Sequence, residues 1–176
     1  VHPWLARGRQ RLLNTLEEGV SELQRPIPVM FNAYHTIIQC RGWLPDPIGG
    51  ICWLGFDNPG ITPRAPLFCG IRELPADFRV DNQHRFRRDS AAWAFRRAAR
   101  LACIRWGATQ ERVARRLQRW EEKAFAELPG VERKALELHR EDPEKARRFL
   151  TDYSLDFCRA MTRDYWQFGD ELWLQH

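Results

Sequence analysis

Long apolar runs are missing from this sequence of 176 residues. No segment approaches the roughly 20 consecutive apolar residues that a helix needs to span a membrane. Residues 1–11 also lack the apolar block of a secretory signal peptide. We therefore predict no membrane association. The first residue is Val1 rather than Met, which indicates a processed chain or part of a longer one.

Cysteine is scarce and scattered, and no C-x-x-C pair occurs. An odd number of cysteines, three of them inside apolar strand-like runs, argues against a disulfide framework and against a zinc site. Each is expected to be a small buried side chain in a reducing, cytoplasmic protein. The five are Cys40, Cys52, Cys69, Cys103 and Cys158.

Several enzyme signatures are absent as well. The sequence holds no H-E-x-x-H, no P-loop, no G-x-G-x-x-G and no G-x-S-x-G. His35 and Cys40 lie five apart in a predicted strand, so they face opposite sides and do not form a catalytic pair. We predict no cofactor and no metal, and the residues alone supply no nucleophile with its base.

The charge is basic, with a formal net charge of +5. Acidic residues nearly match the basic ones, and the arginines are spread over amphipathic segments. No basic loop is interleaved with exposed aromatics, as stacking on nucleic acid requires. The arginines are better explained as solvated helix faces, and we predict no nucleic-acid partner.

The order of the predicted elements indicates an α+β fold. Leucines at helical spacing predict a helix over residues 5–23, which Pro26 and Pro28 end. Apolar and β-branched runs separated by Gly and Pro predict three antiparallel strands, over residues 33–40, 51–56 and 65–69. The strand block covers about residues 30–70, and a helical block follows over about residues 86–170.

Apolar stripes and breakers divide the helical block. Asp89 or Ser90 is expected to cap the first helix, and Gly107 to end it. Thr109 is expected to cap the next helix, which the Pro-Gly pair at 129–130 breaks. Asp142-Pro143-Glu144 then predicts another helix start. The last stripe contains Phe157, Met161, Tyr165 and Phe168.

The polar side chains that follow the second strand are the best candidates for a site. Asp57 and Asn58 lie at its C-terminal end in an Asp-Asn-Pro-Gly turn. The amide of Asn58 can cap that turn, or it can donate to a developing oxyanion. Arginines also cluster at residues 85, 87 and 88, where the dipole of the following helix disfavours cations, so an anion is expected near them.

Many segments resemble the C69 family of dipeptidases. These are N-terminal-nucleophile hydrolases related to penicillin V acylases and bile-salt hydrolases. The central resemblance is Tyr-His-Thr-Ile-Ile-Gln-Cys-Arg-Gly-Trp-Leu-Pro-Asp at 34–46, followed by residues 48–59 through the Asp-Asn-Pro turn. It continues, in order, in residues 88–95, 134–138, 142–147, 150–154 and 165–173.

The resemblance implies an αββα sandwich and a cysteine-type dipeptidase acting on short peptides. An N-terminal cysteine would attack the peptide carbonyl with its own α-amino group as base. Asn58 would match the asparagine that stabilises the oxyanion, and Arg85 or Arg88 the arginine near the nucleophile. Asp57 is predicted to bind substrate. Beyond the peptide substrate, the sequence leaves the oligomeric state open, a homo-oligomer included.

The sequence departs from the family in one respect: Val1 is not a cysteine, and no cysteine lies near it. Residues 1–176 are therefore predicted to be the C-terminal portion of one C69-type domain. The missing N-terminal part, its partner, would supply the nucleophile, and this chain alone would be inactive, with exposed apolar surface and unpaired edges. The alternative is a non-catalytic, secernin-like interaction protein of the same fold.

Overall fold

The computed structural model describes residues 6–22, 27–80 and 84–174. Helix α1 covers Ala6–Leu16 and is shorter than the predicted 5–23. After it, the side chain of Asn14 bonds the backbone of Ser21, with Oδ1 accepting at 3.0 Å and Nδ2 donating at 3.1 Å. Gly19 has a φ of 79°, which turns the chain between them. Residue 23, at the end of the predicted helix, lies outside the described residues.

Three antiparallel strands form one sheet in the order β1-β2-β3, which confirms the predicted α+β class. The strands are β1 (Tyr34–Cys40), β2 (Gly50–Phe56) and β3 (Ala65–Phe68). Ile38 lies opposite Cys52, and Trp53 lies opposite Pro66. β2 is thus the central strand, and its C-terminal end leads directly into the Asp-Asn-Pro turn.

The connection between β1 and β2 contains a one-turn helix, α2 (Asp46–Gly49). Arg41 is buried beside it and donates to the carbonyls of Ile48 at 3.0 Å and Gly49 at 3.2 Å. The same guanidinium pairs with Glu132 of a later helix. A buried charge is stable when it is paired and hydrogen-bonded, so Arg41 anchors the sheet to the helical layer.

The sheet is followed by a short 3₁₀ helix (Ala76–Arg79) and three long helices. These are α3 (Ala91–Ile104), α4 (Trp106–Glu141) and α5 (Pro143–Trp173). Asp142 caps α5 as predicted, because its carboxylate accepts from the Glu144 N–H at 2.8 Å. The predicted stripe of α5 is buried. Phe157 packs against Trp120 of α4, and the Tyr165 hydroxyl donates to the carbonyl of Ile61, in the loop between β2 and β3, at 2.9 Å.

Within the helical block, three predicted helix boundaries are wrong. α3 ends at Ile104, and α4 begins before Gly107. Thr109 lies inside α4, where its hydroxyl donates to the Ala102 carbonyl at 2.7 Å and satisfies the end of α3. The Pro129-Gly130 pair does not break α4, which continues to Glu141. Burial explains this: α4 places one apolar face against α5 on both sides of the proline, through Val113, Trp120, Ala124, Val131 and Ala135.

Apolar side chains of α1 and β1 remain open to solvent. On β1, Tyr34, Ile37 and Ile38 are 64%, 53% and 65% exposed. Among the described residues, β2 is the only strand that pairs with β1. Strand residues of this kind normally pack against another layer. Within the same residues, no helix is both long and apolar enough to cross a membrane.

Candidate active site

Asp57 leaves β2 in a left-handed conformation, with φ at 62°. Among the described residues it is the one non-glycine residue with positive φ. This region costs an L-residue roughly 1–2 kcal/mol, although Asp tolerates it better than most. Its N–H donates to the Ala33 carbonyl at 3.3 Å. The turn carries Asp57 and Asn58 off the sheet and into the interior, where they are 1% and 0% exposed.

The two ends of the Asn58 amide have different roles. Its Oδ1 accepts from the Gly60 N–H at 2.8 Å, which closes the turn. Its backbone carbonyl accepts from the N–H groups of Ile61 and Thr62. Its Nδ2 points at the sulfur of Met30, 3.4 Å away, and a thioether is only a weak acceptor. Asn58 therefore caps the turn with its oxygen and holds its N–H donor in a fixed direction.

Two arginines of α3 face the carboxylate of Asp57. The Arg100 Nη2 lies 3.4 Å and the Arg96 Nε 3.8 Å from Asp57 Oδ1. Oδ2 is buried and has no hydrogen-bond partner within the described part of the chain. Burial raises the pKa of the Asp57 carboxyl, and the Arg100 and Arg96 guanidinium groups oppose that rise without cancelling it. The carboxylate of Asp57 thus lies beside the guanidinium groups of two arginines.

Met30 covers this cluster from the segment before β1. Its sulfur is 3.7 Å from Arg100 Nη1 and 3.6 Å from the Cys103 Sγ, besides its contact with Asn58. Its carbonyl accepts from Arg100 Nη2. Burial raises the pKa of the Cys103 thiol to about 11, so this thiol is a poor nucleophile at neutral pH. The sulfur of Met30 marks the point toward which the donors of Asn58 and Arg100 converge.

A histidine supports the turn from β1. The His35 Nε2 lies 3.1 Å from the Thr62 Oγ1, which in turn lies 2.5 Å from the Phe56 carbonyl and 2.9 Å from the Asn58 carbonyl. A neutral ring with its proton on Nε2 completes this chain as a donor to the hydroxyl oxygen. Burial first, and then the charge of Arg64, lowers the pKa of His35 to about 4. The ring is therefore neutral at pH 7.

The structure places the other predicted site residues in the segment that precedes α3. Arg85 and Arg88 are exposed. The Arg88 guanidinium lies over the Trp166 ring at 4.8 Å, and the Arg85 carbonyl accepts from the Trp93 Nε1 at 2.9 Å. Within the described residues neither forms a hydrogen bond or an ion pair with Asp57 or Asn58.

Arg96 and Arg100 were missed by the sequence reasoning, which assigned them to the solvent side of α3. The signal that points to them is their spacing: residues four apart lie on one helical face and can grip a single carboxylate. What the sequence does not show is that this face turns toward the end of β2.

Three of the five cysteines, Cys52, Cys103 and Cys158, have pKa values raised by burial, which disfavours the reactive thiolate. Cys40 and Cys69 are exposed at strand ends, so the prediction that every cysteine is buried is wrong for these two. Burial raises the pKa of Cys52 and of the fully buried Cys158. No group of three or more potential metal ligands is found in the part of the chain that the structure describes. The donors of the site are thus an amide and arginines.

Comparison with known proteins gives one family. Residues 10–119 match the model of peptidase family C69. The matched region contains the whole sheet, the Asp57–Asn58 turn, α3 and the start of α4. A search of curated proteins finds no match.

Proposed function

Because the chain belongs to peptidase family C69, and so to the peptidases, we propose that it is part of a cysteine-type dipeptidase. In this proposal Asn58 donates from Nδ2 to the oxyanion that forms when the peptide carbonyl is attacked. The substrates are short peptides. The fold of the whole enzyme is the αββα sandwich of the N-terminal-nucleophile hydrolases, of which the sheet and helices described above are a part.

The proposal rests mainly on one observation: a hydrogen bond fixes the orientation of the Asn58 side-chain amide. Its oxygen is fixed by the Gly60 N–H, so its Nδ2 donor cannot rotate away. The present acceptor is a thioether sulfur, which a negatively charged oxygen would outcompete. A preorganised donor in a water-excluded site is the kind of group that stabilises a tetrahedral intermediate.

The nucleophile in this proposal is a cysteine that precedes the present chain in the protein. Its thiolate adds to the carbonyl carbon, and its α-amino group takes the thiol proton and passes it to the leaving amine. Water then hydrolyses the thioester. Support comes from Cys52, Cys103 and Cys158, whose pKa values are raised by burial, so that none of the three favours the thiolate. The exposed apolar residues of α1 and β1 support a further layer packing there.

Two further residues belong to the proposal. Arg85 or Arg88 is the arginine near the nucleophile, and their exposure at the start of α3 leaves them accessible to an added segment. Asp57 serves substrate binding by holding Arg96 and Arg100 beside Asn58, since its own carboxylate is covered.

The test uses the full-length protein that contains this chain, assayed on a panel of dipeptides. Asn58→Ser keeps an oxygen that can close the turn but removes the Nδ2 donor. We expect kcat to fall about 100- to 1000-fold, which is the usual effect of losing one oxyanion donor. Asn14→Ser, in the turn after α1, is the matched control and should keep full activity.

Two results would contradict the proposal. One is the absence of hydrolysis of any dipeptide by the full-length protein. The other is an Asn58→Ser enzyme with unchanged kcat, or an Asn58→Ala enzyme that behaves like the wild type. The secernin-like alternative requires that no cysteine becomes N-terminal after processing, and mass spectrometry of the purified protein decides this point.

A further inference from the structure

The donors around Met30 have a spacing that suits one kind of ligand. Asn58 Nδ2 and Arg100 Nη1 lie 3.4 Å and 3.7 Å from the same sulfur, so they are no farther apart than the sum of these distances. One is a neutral donor and the other a cation. A ligand that satisfies both carries a carbonyl oxygen and an anionic group a few ångströms apart.

Exposure distinguishes Arg100 within the cluster. Its guanidinium and that of Arg96 both face Asp57 Oδ1. The side chain of Arg100 is 42% exposed, whereas that of Asp57 is 1% exposed, so a ligand reaches the arginine and not the carboxylate. Arg100 Nη2 is bonded to the Met30 carbonyl, while within the described residues the acceptor of Nη1 is the weak sulfur.

We propose that Arg100 binds the α-carboxylate of the peptide and so determines that cleavage occurs one residue from a free C-terminus. The inference rests on the proposed function, because it takes Asn58 as the donor to the scissile carbonyl. In a dipeptide the scissile carbonyl carbon and the carboxylate carbon are separated only by one nitrogen and one Cα, so their oxygens lie roughly 4–5 Å apart. That separation lies within the upper bound that the two distances to the Met30 sulfur set for the two donors.

Met30 is the group that the substrate displaces. Its thioether occupies the position between the two donors, and Met is flexible enough to move aside without breaking the sheet. A carboxylate on Arg100 gains a charge-assisted hydrogen bond in place of a contact to sulfur. An amide at the same position offers no charge, so the free acid is preferred.

The test compares alanyl-alanine with alanyl-alaninamide as substrates of the full-length protein. We expect the wild type to prefer the free acid about 10- to 100-fold in kcat/KM, the effect of one hydrogen bond between charged groups. In Arg100→Gln this ratio should fall to about one, mainly through a higher KM for the acid. Arg100→Lys should keep part of the preference.

Arg97→Gln is the matched control, since Arg97 lies on the same helix and pairs with Asp170 at 2.8 Å. It should leave the acid-to-amide ratio unchanged. The inference is overturned if Arg100→Gln keeps the wild-type ratio, or if it lowers the rates on both substrates equally, as a purely structural role would. A wild-type protein that hydrolyses no dipeptide of the panel refutes the proposed function itself; if another dipeptide of the panel is the better substrate, its free acid and amide replace the alanyl pair. Loss of activity in Asn58→Ser with an unaltered ratio in Arg100→Gln refutes only the role of Arg100.

Discussion

Acid should weaken the Asp57–Asn58 turn through His35. The ring is half-buried on β1, its Nε2 bonds the Thr62 hydroxyl, and its Nδ1 is buried with no partner in the described part of the chain. Protonation would place an unpaired N–H and a positive charge at that nitrogen, near Arg64. Burial disfavours the charged ring with its unpaired N–H, and the positive charge of Arg64 repels the added proton. Both effects lower the pKa of His35, to about 4.

The sign of the pH effect follows from this lowered pKa. Unfolded His35 takes up its proton as the pH falls through about 6.5, whereas the folded protein resists until about pH 4. The stabilisation is therefore complete above pH 6.5 and is lost as the pH falls toward 4. At about 1.4 kcal/mol per pH unit the difference amounts to about 3 kcal/mol. Solvent screening of a half-buried ring reduces our expectation to about 1–2 kcal/mol.

The assay is urea denaturation of the wild type and of His35→Gln at several pH values between 7.5 and 3.5. Glutamine can still donate to Thr62 but does not titrate. Subtracting the two unfolding free energies removes the contributions of carboxylates common to both proteins. This difference should fall by about 1–2 kcal/mol between pH 6.5 and 4. A difference that stays flat over this range, or a His35 that titrates near pH 6.5 by NMR, would refute the reasoning.

Two other substitutions test the energetic effects assigned above to Asp57 and to Pro129. Asp57→Asn keeps a side chain that tolerates positive φ and removes a carboxyl whose pKa is raised by burial, so the variant should be at least as stable as the wild type at pH 7. Its advantage in urea denaturation should shrink as the pH falls toward 4, and a loss of stability at pH 7 would contradict this. Pro129→Ala restores a donor to the Phe125 carbonyl inside α4 and should raise the unfolding free energy by about 1–2 kcal/mol. Equal or lower stability would show that α4 depends on its proline.

The sheet was predictable because its signals are local. β-branched and aromatic runs between Gly and Pro gave all three strands within two residues of their observed ends. The helix boundaries were less predictable. Thr109 looks like a cap in the sequence, but its hydroxyl serves the end of the preceding helix. Pro129 looks like a breaker, but apolar burial on both sides of it outweighs the loss of one hydrogen bond.

In the candidate site too, residues that belong to a local sequence pattern were predictable, and residues brought together by tertiary packing were not. Asp57 and Asn58 could be predicted as candidates because a strand that ends in Asp-Asn-Pro-Gly is a local pattern, and both capping and donation by Asn58 can be read from it. Met30 and Arg100 were not found, because they are 70 residues apart and meet only when α3 packs against the end of β2. Their side chains are unremarkable in the sequence: one methionine in a Pro-rich stretch and one arginine among many.

In the proposed function, the fixed orientation of the Asn58 amide is what this chain contributes to the oxyanion site. Its donor is fixed by contacts to Gly60, and its turn is held by Thr62 and His35, all within residues 35–62. An oxyanion donor of this kind needs no reorganisation when the reaction begins. The proposed nucleophile therefore has to bring only its own thiolate and amine to a donor already in place. In the proposed binding mode, the substrate displaces Met30 from its contacts with Asn58 and Arg100.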